Sequence, residues 1–514
     1  MANGIEFPIG PNGKVSTRAF GQRVLSEPLQ VLNPELSRSI QNETKWRQKY
    51  GRFLPEYQLT CSASAAVAET VARESLRLCH GLFRFHRDGV DMPLNQAMNT
   101  YDKPAFYTGT VSGGAEFSGS ISVIYGNEKL TASGLKTLLH HWIKKGVIEH
   151  SHGSDVEYLL DDANLLDLRG QTFVVLGGTS EVGPLKTLLQ LGANVVAVSR
   201  PNKTKWRRLM EYAASTCGTL IFPCHKKPEG DSITSLAAIA GADLMTQTPE
   251  LAHWLSQVEG DFTLGCYAYL DGADHVRVSM AMDAIAHYLL SRRQDVRLAY
   301  LLTPSDVYSV SDEITQANEH KLKRLSLSAI TATLVNSLTF GRWFSPSIVA
   351  KTKTKQDGVL GILDNLVTQQ GPNYVIAKRI QRWRAIDCAS KGIPVSCNVA
   401  PAASTESVMS NPFFLAASNG SESFGVEVFT PNMVNTLMTL QMIQDIQIHG
   451  ISKVKGERLF ERGANHGGAW RIGYQFRSLM VMSLLVGVVG KIIPLKKIFI
   501  RNRSSHAVRL RTSN

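Results

Sequence analysis

The chain has 514 residues, 43% of them hydrophobic and 19% charged, a globular composition that excludes an intrinsically disordered chain. The formal net charge of +12 is carried mostly by the C-terminal end, because residues 451–514 hold thirteen Lys or Arg and two acidic residues. The rest of the chain is close to neutral, which excludes a nucleic-acid-binding core with a basic face.

The seven cysteines are scattered, and none belongs to a CxxC pair or to a His/Cys cluster with ligand spacing. We therefore expect neither a metal site nor a disulfide framework, and a reducing, intracellular setting fits best. The first residues lack the basic segment and apolar run of a secretory signal. The expected location is the cytoplasm or the periphery of a membrane.

Residues 1–168 are predicted to form an N-terminal α+β extension, whose role the sequence does not reveal. Apolar spacing predicts one helix over 61–90, and alternation predicts a small β element within 99–126. A helix over 134–145 is predicted to end at Gly146, since glycine favours the left-handed conformation that closes helices.

Residues 170–200 have the pattern of a βαβ unit. An apolar run, Phe173 to Leu176, is followed by a glycine turn, about three predicted helical turns and a second apolar run. Gly177 and Gly178 permit a sharp bend and the approach of a pyrophosphate to the backbone, and a helix starting there would direct its amides at that phosphate. The pattern predicts a dinucleotide-binding turn; the alternative is a glycine turn that binds nothing.

The second strand of this unit ends in Ser199-Arg200, with Lys203 and Lys205 close behind. An acidic residue at this point would hydrogen-bond a ribose 2′-hydroxyl, whereas arginine accommodates a 2′-phosphate. The sequence therefore favours NADP(H) over NAD(H) as the cofactor.

The elements that follow alternate between strand and helix, which predicts an α/β fold with a doubly wound parallel sheet. Further strands are predicted over 218–222, 262–269, 296–302 and 391–401. We expect this Rossmann-like domain to occupy 169–445, with a mixed, partly helical insertion over 307–366. A basic, partly apolar tail is predicted over 446–514.

Tyr374 and Lys378 are four residues apart on a predicted helix and so share one face. An ammonium group beside a phenol stabilises the phenolate and lowers the tyrosine pKa, so that the pair can exchange a proton with a carbonyl or alcohol oxygen. Taken alone, such a pair is usually a solvated helix face. Its position downstream of the βαβ unit favours a catalytic role.

In these motifs and in their order, the chain resembles the short-chain dehydrogenase/reductase superfamily over about 170–445. The resemblance implies that Tyr374 is the general acid/base, that Lys378 holds the nicotinamide ribose, and that Ser305 polarises the substrate carbonyl. It also implies a set of residues that bind the cofactor. These are Gly177, Gly178, Thr179, Ser180, Gly183, Ser199, Arg200, Asp243, Leu244, Pro401 and Thr405.

The chain departs from the family pattern at several points. Glu181 or Ser180 stands where the middle glycine of the turn is usual, and Asp283 stands about where a supporting asparagine is expected. The interval between Ser305 and Tyr374 is much longer than in the family, so an insertion there could form a substrate lid or a partner surface.

The first functional hypothesis is an NADP(H)-dependent oxidoreductase that interconverts a ketone and a secondary alcohol, with a small-molecule or acyl-type carbonyl substrate. The alternative is a non-catalytic nucleotide-binding scaffold that docks to a membrane or a partner through its basic tail. In that tail the apolar run 479–489, flanked by basic residues, suits either an interfacial anchor on anionic lipid or a core helix. A homo-oligomer is compatible with both hypotheses.

Overall fold

The computed structural model describes residues 3–10, 13–324, 345–354, 358–410, 420 and 425–479. The strands within these ranges are β1 (Gly4–Glu6), β2 (Arg84–Arg87), β3 (Val90–Pro93), β4 (Tyr107–Ser112), β5 (Val123–Tyr125), β6 (Glu128–Leu130), β7 (Thr172–Leu176), β8 (Asn194–Val198), β9 (Thr219–Cys224), β10 (Phe262–Cys266), β11 (Val296–Leu302), β12 (Val307–Val310), β13 (Ile348–Thr354), β14 (Gly358–Asp364) and β15 (Val395–Val399).

The α-helices are α1 (Thr17–Ser26), α2 (Pro34–Asn42), α3 (Trp46–Lys49), α4 (Leu54–Cys61), α5 (Ala65–Leu82), α6 (Leu94–Thr100), α7 (Ala132–Lys145), α8 (His150–Asp161), α9 (Leu185–Gln190), α10 (Lys203–Ala214), α11 (Ile233–Ile239), α12 (Thr248–Ser256), α13 (Gly272–Leu290), α14 (Asp312–Arg324), α15 (Gly371–Ser390), α16 (Glu406–Met409) and α17 (Pro431–Ile443). A π-helical turn, Gln444–His449, extends α17. Short 3₁₀ segments are Glu27–Leu29, Tyr50–Arg52, Ala163–Leu166, Thr368–Gln370, Gly456–Phe460 and Ala469–Arg471.

Seven strands form the central sheet, in the spatial order β15-β11-β10-β7-β8-β9-β4. Six of them are parallel, and β4 pairs with β9 in the antiparallel sense at the edge. From β7 the chain moves outward to β9, then returns to place β10 on the other side of β7 and continues outward to β15. This confirms the predicted doubly wound α/β fold. The reversal between β7 and β10 opens a crevice at the carboxyl ends of these strands.

The sheet is buried on both faces, which explains its uninterrupted apolar strands. Because successive side chains point to opposite faces, Val174 and Leu176 belong to one hydrophobic core while Phe173 and Val175 belong to the other. The first core lies under α5, α13 and α15, and the second lies under α7 to α10 and α17.

Residues 1–168 contribute directly to this architecture. β4 forms the edge strand, and α5 packs against α15. The predicted single helix over 61–90 is wrong at its C-terminal end, because α5 ends at Leu82 and the β2–β3 hairpin follows. The turn of this hairpin is Asp88-Gly89, with φ of 50° and 80°. Asp-Gly is a strong two-residue hairpin signal, since both central positions need positive φ.

The insertion over 307–366 contains more sheet than the sequence suggested. Strands β12, β14 and β13 form an antiparallel three-stranded sheet in that order, and α14 lies between β12 and β13 along the chain. The predicted helical part is confirmed by α14. Residues 325–344 and 355–357 lie outside the described part of the insertion.

A buried ion cluster joins the insertion to α15. Asp306 accepts hydrogen bonds from Arg379 at 3.1 Å and Arg382 at 2.9 Å, and all three side chains are 1% exposed. Arg382 also donates to Glu457, and both arginines donate to Gln58 of α4. Each charge is therefore compensated although none reaches water, as burial of an ion requires.

Glu149, at the start of α8, is bound by two basic side chains of the C-terminal segment. Arg471 donates to both of its carboxylate oxygens, at 2.9 and 2.6 Å, and His466 lies 2.8 Å away. Burial alone would raise the pKa of Glu149, but the hydrogen bonds and charges of His466 and Arg471 outweigh burial and lower this pKa to about 2.

This ion pair predicts an acid-sensitive contribution to stability. A carboxyl group whose pKa is lower in the folded than in the unfolded protein stabilises the fold above its unfolded pKa, and this contribution is lost as the pH falls toward 2. Between pH 5 and pH 3 the unfolding free energy of the wild type should fall by about 2 kcal/mol more than that of Glu149→Gln. Urea unfolding at each pH measures this, with Glu157→Gln, in an exposed pair with His140, as the control. If the unfolding free energy fell equally with pH in the wild type and in Glu149→Gln, the prediction would be contradicted.

Candidate active site

A cavity of about 1140 Å³ lies at the reversal point of the sheet. It brings together residues that are almost 200 positions apart along the chain, from the turn after β7 to α15. The predicted site residues that line it are Gly177, Thr179, Ser180, Ser199, Arg200, Asp243, Leu244, Ser305, Tyr374, Lys378, Pro401 and Thr405. The structure thus places all three predicted catalytic residues in the same space as most of the predicted cofactor-binding residues.

At the glycine turn, the backbone of Gly177 lies close to the backbone of Ala268. Gly177 has a φ of +98°, and a Cβ built on it would lie 2.5 Å from the backbone nitrogen of Ala268, beyond the end of β10. Only glycine can occupy this position, because the neighbouring atom is backbone and cannot move aside. The amides of Gly177 and Gly178 donate to the carbonyl of Val198, at 2.9 and 3.0 Å, and hold the turn against the end of β8.

Two of the predicted cofactor-binding glycines are not among the residues lining the cavity. Gly178 packs against Ala197, where a Cβ would lie 3.0 Å from the alanine side chain. The carbonyl of Gly183 accepts a hydrogen bond from the buried Asn435 of α17. Both glycines therefore contact the protein interior and not the cavity.

The helix after the turn is shorter than predicted. α9 begins at Leu185 and has six residues, and residues 179–184 form turns. Pro184 explains the late start, because a proline disfavours helical backbone at the residue before it. No residue of α9 is among those that line the cavity, and that a helix N-terminus directs its amides at a phosphate stays a prediction. The backbone that faces the cavity belongs to the turn itself, through Thr179, Ser180 and Glu181.

Glu181, the acidic residue of the turn, has a partner on the opposite wall. Its carboxylate accepts the backbone N–H of Glu406, at 3.1 and 3.4 Å, where α16 begins. The carboxylate therefore connects the glycine turn to the loop after β15. Glu181, which stands near the usual position of a glycine, thus has a structural role in this turn.

The end of the cavity next to β8 is polar and basic. Arg200, Asn202 and Lys205 line it, and the Arg200 guanidinium forms a 3.0 Å ion pair with Asp243. Asp243 also accepts the amides of Met245 and Thr246, so its position is fixed by the backbone. The Arg200 side chain remains 53% exposed. Arginine can donate five hydrogen bonds, so the pair with Asp243 leaves it able to contact an anionic group.

Tyr374 and Lys378 lie on α15 and line the cavity, but no hydrogen bond joins their side chains. The Lys378 ammonium donates to the carbonyl of Leu301 at 2.9 Å and to Gln381 at 3.3 Å. Burial raises the pKa of Tyr374, and the nearby Thr303 side chain only partly opposes this. The expected lowering of the Tyr374 pKa by Lys378 is thus not found in this structure. Burial lowers the pKa of Lys378 to about 8.

Ser305 lines the cavity, and its hydroxyl is bonded to two other side chains there. Thr303, which directly follows β11, also lines the cavity, and its hydroxyl lies 2.7 Å from that of Ser305. Ser305 donates to Gln370 at 2.8 Å. Sequence reasoning missed Thr303 and Gln370. The position of Thr303 at the carboxyl end of a central strand was the available signal.

The wall behind Tyr374 is aromatic. The His275 ring stacks on Tyr374 with centroids 5.5 Å apart and contacts Tyr269 at 4.6 Å. His275 is 1% exposed, and neither ring nitrogen has a hydrogen-bond partner among the described residues. Asp283, expected to take the place of a supporting asparagine, is instead buried against Arg384 and His80, at 2.7 Å from each, and is not among the lining residues.

The remaining wall is largely apolar, and much of it comes from residues 426–479, the C-terminal segment of the described chain. The apolar side chains of this segment that line the cavity are Val426, Val428, Val434, Ile472, Phe476 and Leu479. This surface and the basic end near Arg200 give the cavity two chemically different parts.

No protein-family model matches the chain, and no curated protein matches it in sequence. Among solved structures it is similar to a thiolation-reductase di-domain from an archaeal non-ribosomal peptide synthetase. The identity is 12%, the alignment covers 91% of each chain, and the TM-score is 0.31. At this level the similarity says nothing about activity.

None of the helices in the described ranges is long and apolar enough to cross a membrane. The predicted apolar and basic anchor lies almost entirely in residues 480–514, outside the described residues.

Proposed function

We propose that the protein is an NADP(H)-dependent oxidoreductase of the short-chain dehydrogenase/reductase type that interconverts a ketone and a secondary alcohol. The observation that carries this proposal is the shared cavity, in which Tyr374 and Lys378 face the glycine turn across the reversal point of a doubly wound sheet. Ligands bind at such points in open α/β sheets, because the chain leaves a crevice there.

The residues of the cavity fit a dinucleotide. The turn backbone that lines the cavity, from Gly177 to Glu181, suits a pyrophosphate. Arg200 and Lys205 suit the 2′-phosphate that distinguishes NADP(H) from NAD(H). Asp243 and Leu244 would contact the adenine end, and Pro401 and Thr405 the nicotinamide end. When bound, the cofactor supplies or accepts the hydride.

The side chains of this chain supply the proton. In the reducing direction, the Tyr374 hydroxyl gives its proton to the carbonyl oxygen of the substrate as the carbon accepts a hydride. Lys378, one helical turn away, would bind the nicotinamide ribose and stabilise the resulting phenolate through its charge. Thr303 and Ser305 would supply hydroxyl groups beside the reacting oxygen, since both line the cavity together with Tyr374.

The apolar wall favours an acyl-type or otherwise apolar carbonyl substrate. The side chains contributed by the C-terminal segment offer hydrophobic contacts, whereas the basic side chains Arg200 and Lys205 lie at the cofactor end. An uncharged carbonyl compound can bury its apolar part against this wall without leaving an unpaired charge.

Cofactor binding is the first test. Titration of the purified protein, followed by nicotinamide fluorescence, should show tighter binding of NADPH than of NADH. Arg200→Asp should weaken NADPH binding by about 10- to 100-fold, since a hydrogen bond to a charged group contributes roughly 1.5–3 kcal/mol, and should leave NADH binding much less changed.

Arg207→Asp is the matched control, because Arg207 is an exposed arginine of α10 that pairs with Glu211 and is not among the lining residues. If NADPH affinity fell equally in Arg200→Asp and Arg207→Asp, the effect would be due to general electrostatics rather than to a 2′-phosphate site. NADPH binding without turnover on any carbonyl compound would favour the nucleotide-binding scaffold.

A further inference from the structure

The apolar wall of the cavity contains a small hydrophobic cluster that is distinct from the two cores of the central sheet. Ile472 and Leu479 are 3% exposed and cluster with Val426, and the partly buried Phe476 packs against both this cluster and the first core. All four side chains line the cavity. Because a cluster of this size buries little apolar area of its own, the position of the wall depends on what holds residues 472–479 in place.

Residues 476–479 form a helical turn whose two faces have different partners. Because residues three apart share a helix face, Phe476 and Leu479 line the cavity together. Arg477 and Ser478 lie on the opposite side of the turn, where both bind the insertion. The hydroxyl oxygen of Ser478 accepts the backbone amide of Ser345 at 3.1 Å. The turn therefore connects the substrate part of the cavity to the insertion.

Asp364, the last residue of β14, binds Arg477 through both carboxylate oxygens. The Arg477 Nη1 and Nη2 groups donate to Oδ1 at 3.0 Å and to Oδ2 at 2.5 Å. The Asp364 side chain is fully buried, and its Oδ1 also accepts the backbone amide of Leu366 at 3.2 Å. A bidentate pair of arginine and carboxylate fixes orientation as well as distance, so Asp364 determines where Arg477 and its helical turn lie.

Backbone hydrogen bonds join the same segment to the three-stranded sheet of the insertion. The amide of Ser347 donates to the carbonyl of Gly473 at 3.0 Å, and the amide of Gln475 donates to the carbonyl of Ser345 at 2.8 Å. The carbonyl of Ser347 in turn accepts the amide of Asp364 at 2.8 Å. The insertion therefore supports the apolar wall both through its backbone and through the buried ion pair.

We infer that the insertion is the substrate-specificity element of the proposed reductase, and that Asp364 and Arg477 are positioning residues that hold Phe476 and Leu479 against the alkyl part of a ketone substrate. An alkyl chain suits the wall because all but one of its apolar lining side chains are aliphatic. The identity of the substrate rests on the proposed function. Binding of a ketone to the wall, however, can be measured without turnover.

The test follows the displacement of N-phenyl-1-naphthylamine, a neutral apolar fluorophore, from the full-length protein by 2-butanone and 2-octanone. No cofactor is added, and the pH is 8, because burial raises the pKa of Asp364 and the ion pair needs its carboxylate. Each buried methylene group should increase affinity by about two- to fourfold, so the wild type should bind 2-octanone at least about 16-fold more tightly than 2-butanone.

Arg477→Met keeps an unbranched side chain but removes the ion pair, so the helical turn loses its fixed position. The ratio of the two ketone affinities should fall to about a quarter of the wild-type ratio or less, while the affinity for 2-butanone stays within a factor of about two. Arg477→Lys should retain more of the ratio, since lysine keeps the charge without the bidentate geometry. The double variant Asp364→Leu/Arg477→Met should lose the ratio as well, and it leaves no unpaired buried carboxylate to prevent folding.

Lys351→Met is the matched control, because Lys351 lies on β13 of the same sheet in an exposed pair with Glu319 and does not line the cavity. Its ratio of ketone affinities should equal that of the wild type. An equal loss of affinity for both ketones in Arg477→Met, an equal loss of the ratio in Lys351→Met, or a wild type that does not distinguish the ketones would overturn the inference.

Failure of the proposed function gives a different result. If the protein neither bound NADPH nor reduced ketones, but the affinity ratio still depended on Arg477, the wall would bind alkyl chains for another purpose. If the protein reduced ketones with equal affinity for short and long alkyl chains, the proposed function would stand and the role of the insertion would be wrong.

Discussion

Replacing Tyr374 with phenylalanine is expected to reduce turnover by a factor of about 100 to 10,000, the usual contribution of a positioned general acid or base. The substitution removes one oxygen atom and leaves the ring in place between His275 and Tyr269. Because Arg200 and the glycine turn are unchanged, NADPH affinity should stay within a factor of about three of the wild-type value.

The measurement is NADPH oxidation with a panel of apolar ketones, together with a fluorescence titration of cofactor binding on the same preparation. A parallel loss of binding and turnover would indicate a structural defect rather than the loss of the proton donor. Full turnover by Tyr374→Phe, in a preparation that binds NADPH, would show that another group transfers the proton.

The largest expected effect on stability comes from Asp306. Replacing it with alanine leaves Arg379 and Arg382 buried without the carboxylate that both of them contact. Breaking a buried ion pair by removing one partner destabilises a protein by about 3–5 kcal/mol, because the remaining charge is left uncompensated. For a domain of ordinary stability this is a large fraction of the free energy of unfolding.

Urea unfolding followed by tryptophan fluorescence measures the effect. Asp274→Ala is the matched control, since Asp274 forms an ion pair with Arg277 but is 51% exposed, and such a pair contributes no more than about 1 kcal/mol. The double variant Asp306→Leu/Arg379→Met should recover part of the loss, because it removes two opposite buried charges together. Equal destabilisation by Asp306→Ala and Asp274→Ala would contradict this account of the cluster.

The sequence alone indicated the parallel strands of the sheet and most of the predicted residues that line the cavity. Uninterrupted apolar runs, separated by helices, indicated the strands of the parallel sheet, and the predicted fifth strand coincides with β11. Gly177 and Arg200 could be predicted because each lies within two residues of the end of a strand, and the carboxyl ends of parallel strands meet at one edge of the sheet. Local spacing on one helix likewise identified Tyr374 and Lys378.

Tertiary structure decided what the residues of the site contact. The family resemblance predicted that Ser305 polarises the substrate carbonyl, and in the fold the Ser305 hydroxyl is bonded to Thr303 and donates to Gln370. Spacing suggested that Lys378 would lower the pKa of Tyr374, whereas the lysine is bound to the backbone of β11 and burial raises that pKa. Neither outcome can be read from spacing, because pKa values and hydrogen-bond partners depend on neighbours that are distant in the chain.

The same reason explains how the fold uses its N-terminal residues. Their elements are only moderately apolar, so the sequence did not show what they pack against. β4 instead completes the main sheet and α5 covers the helix that carries Tyr374. An element's type follows from its own residues, through periodicity and turn chemistry. Its place in the molecule follows from which apolar faces remain to be covered once the other elements have packed.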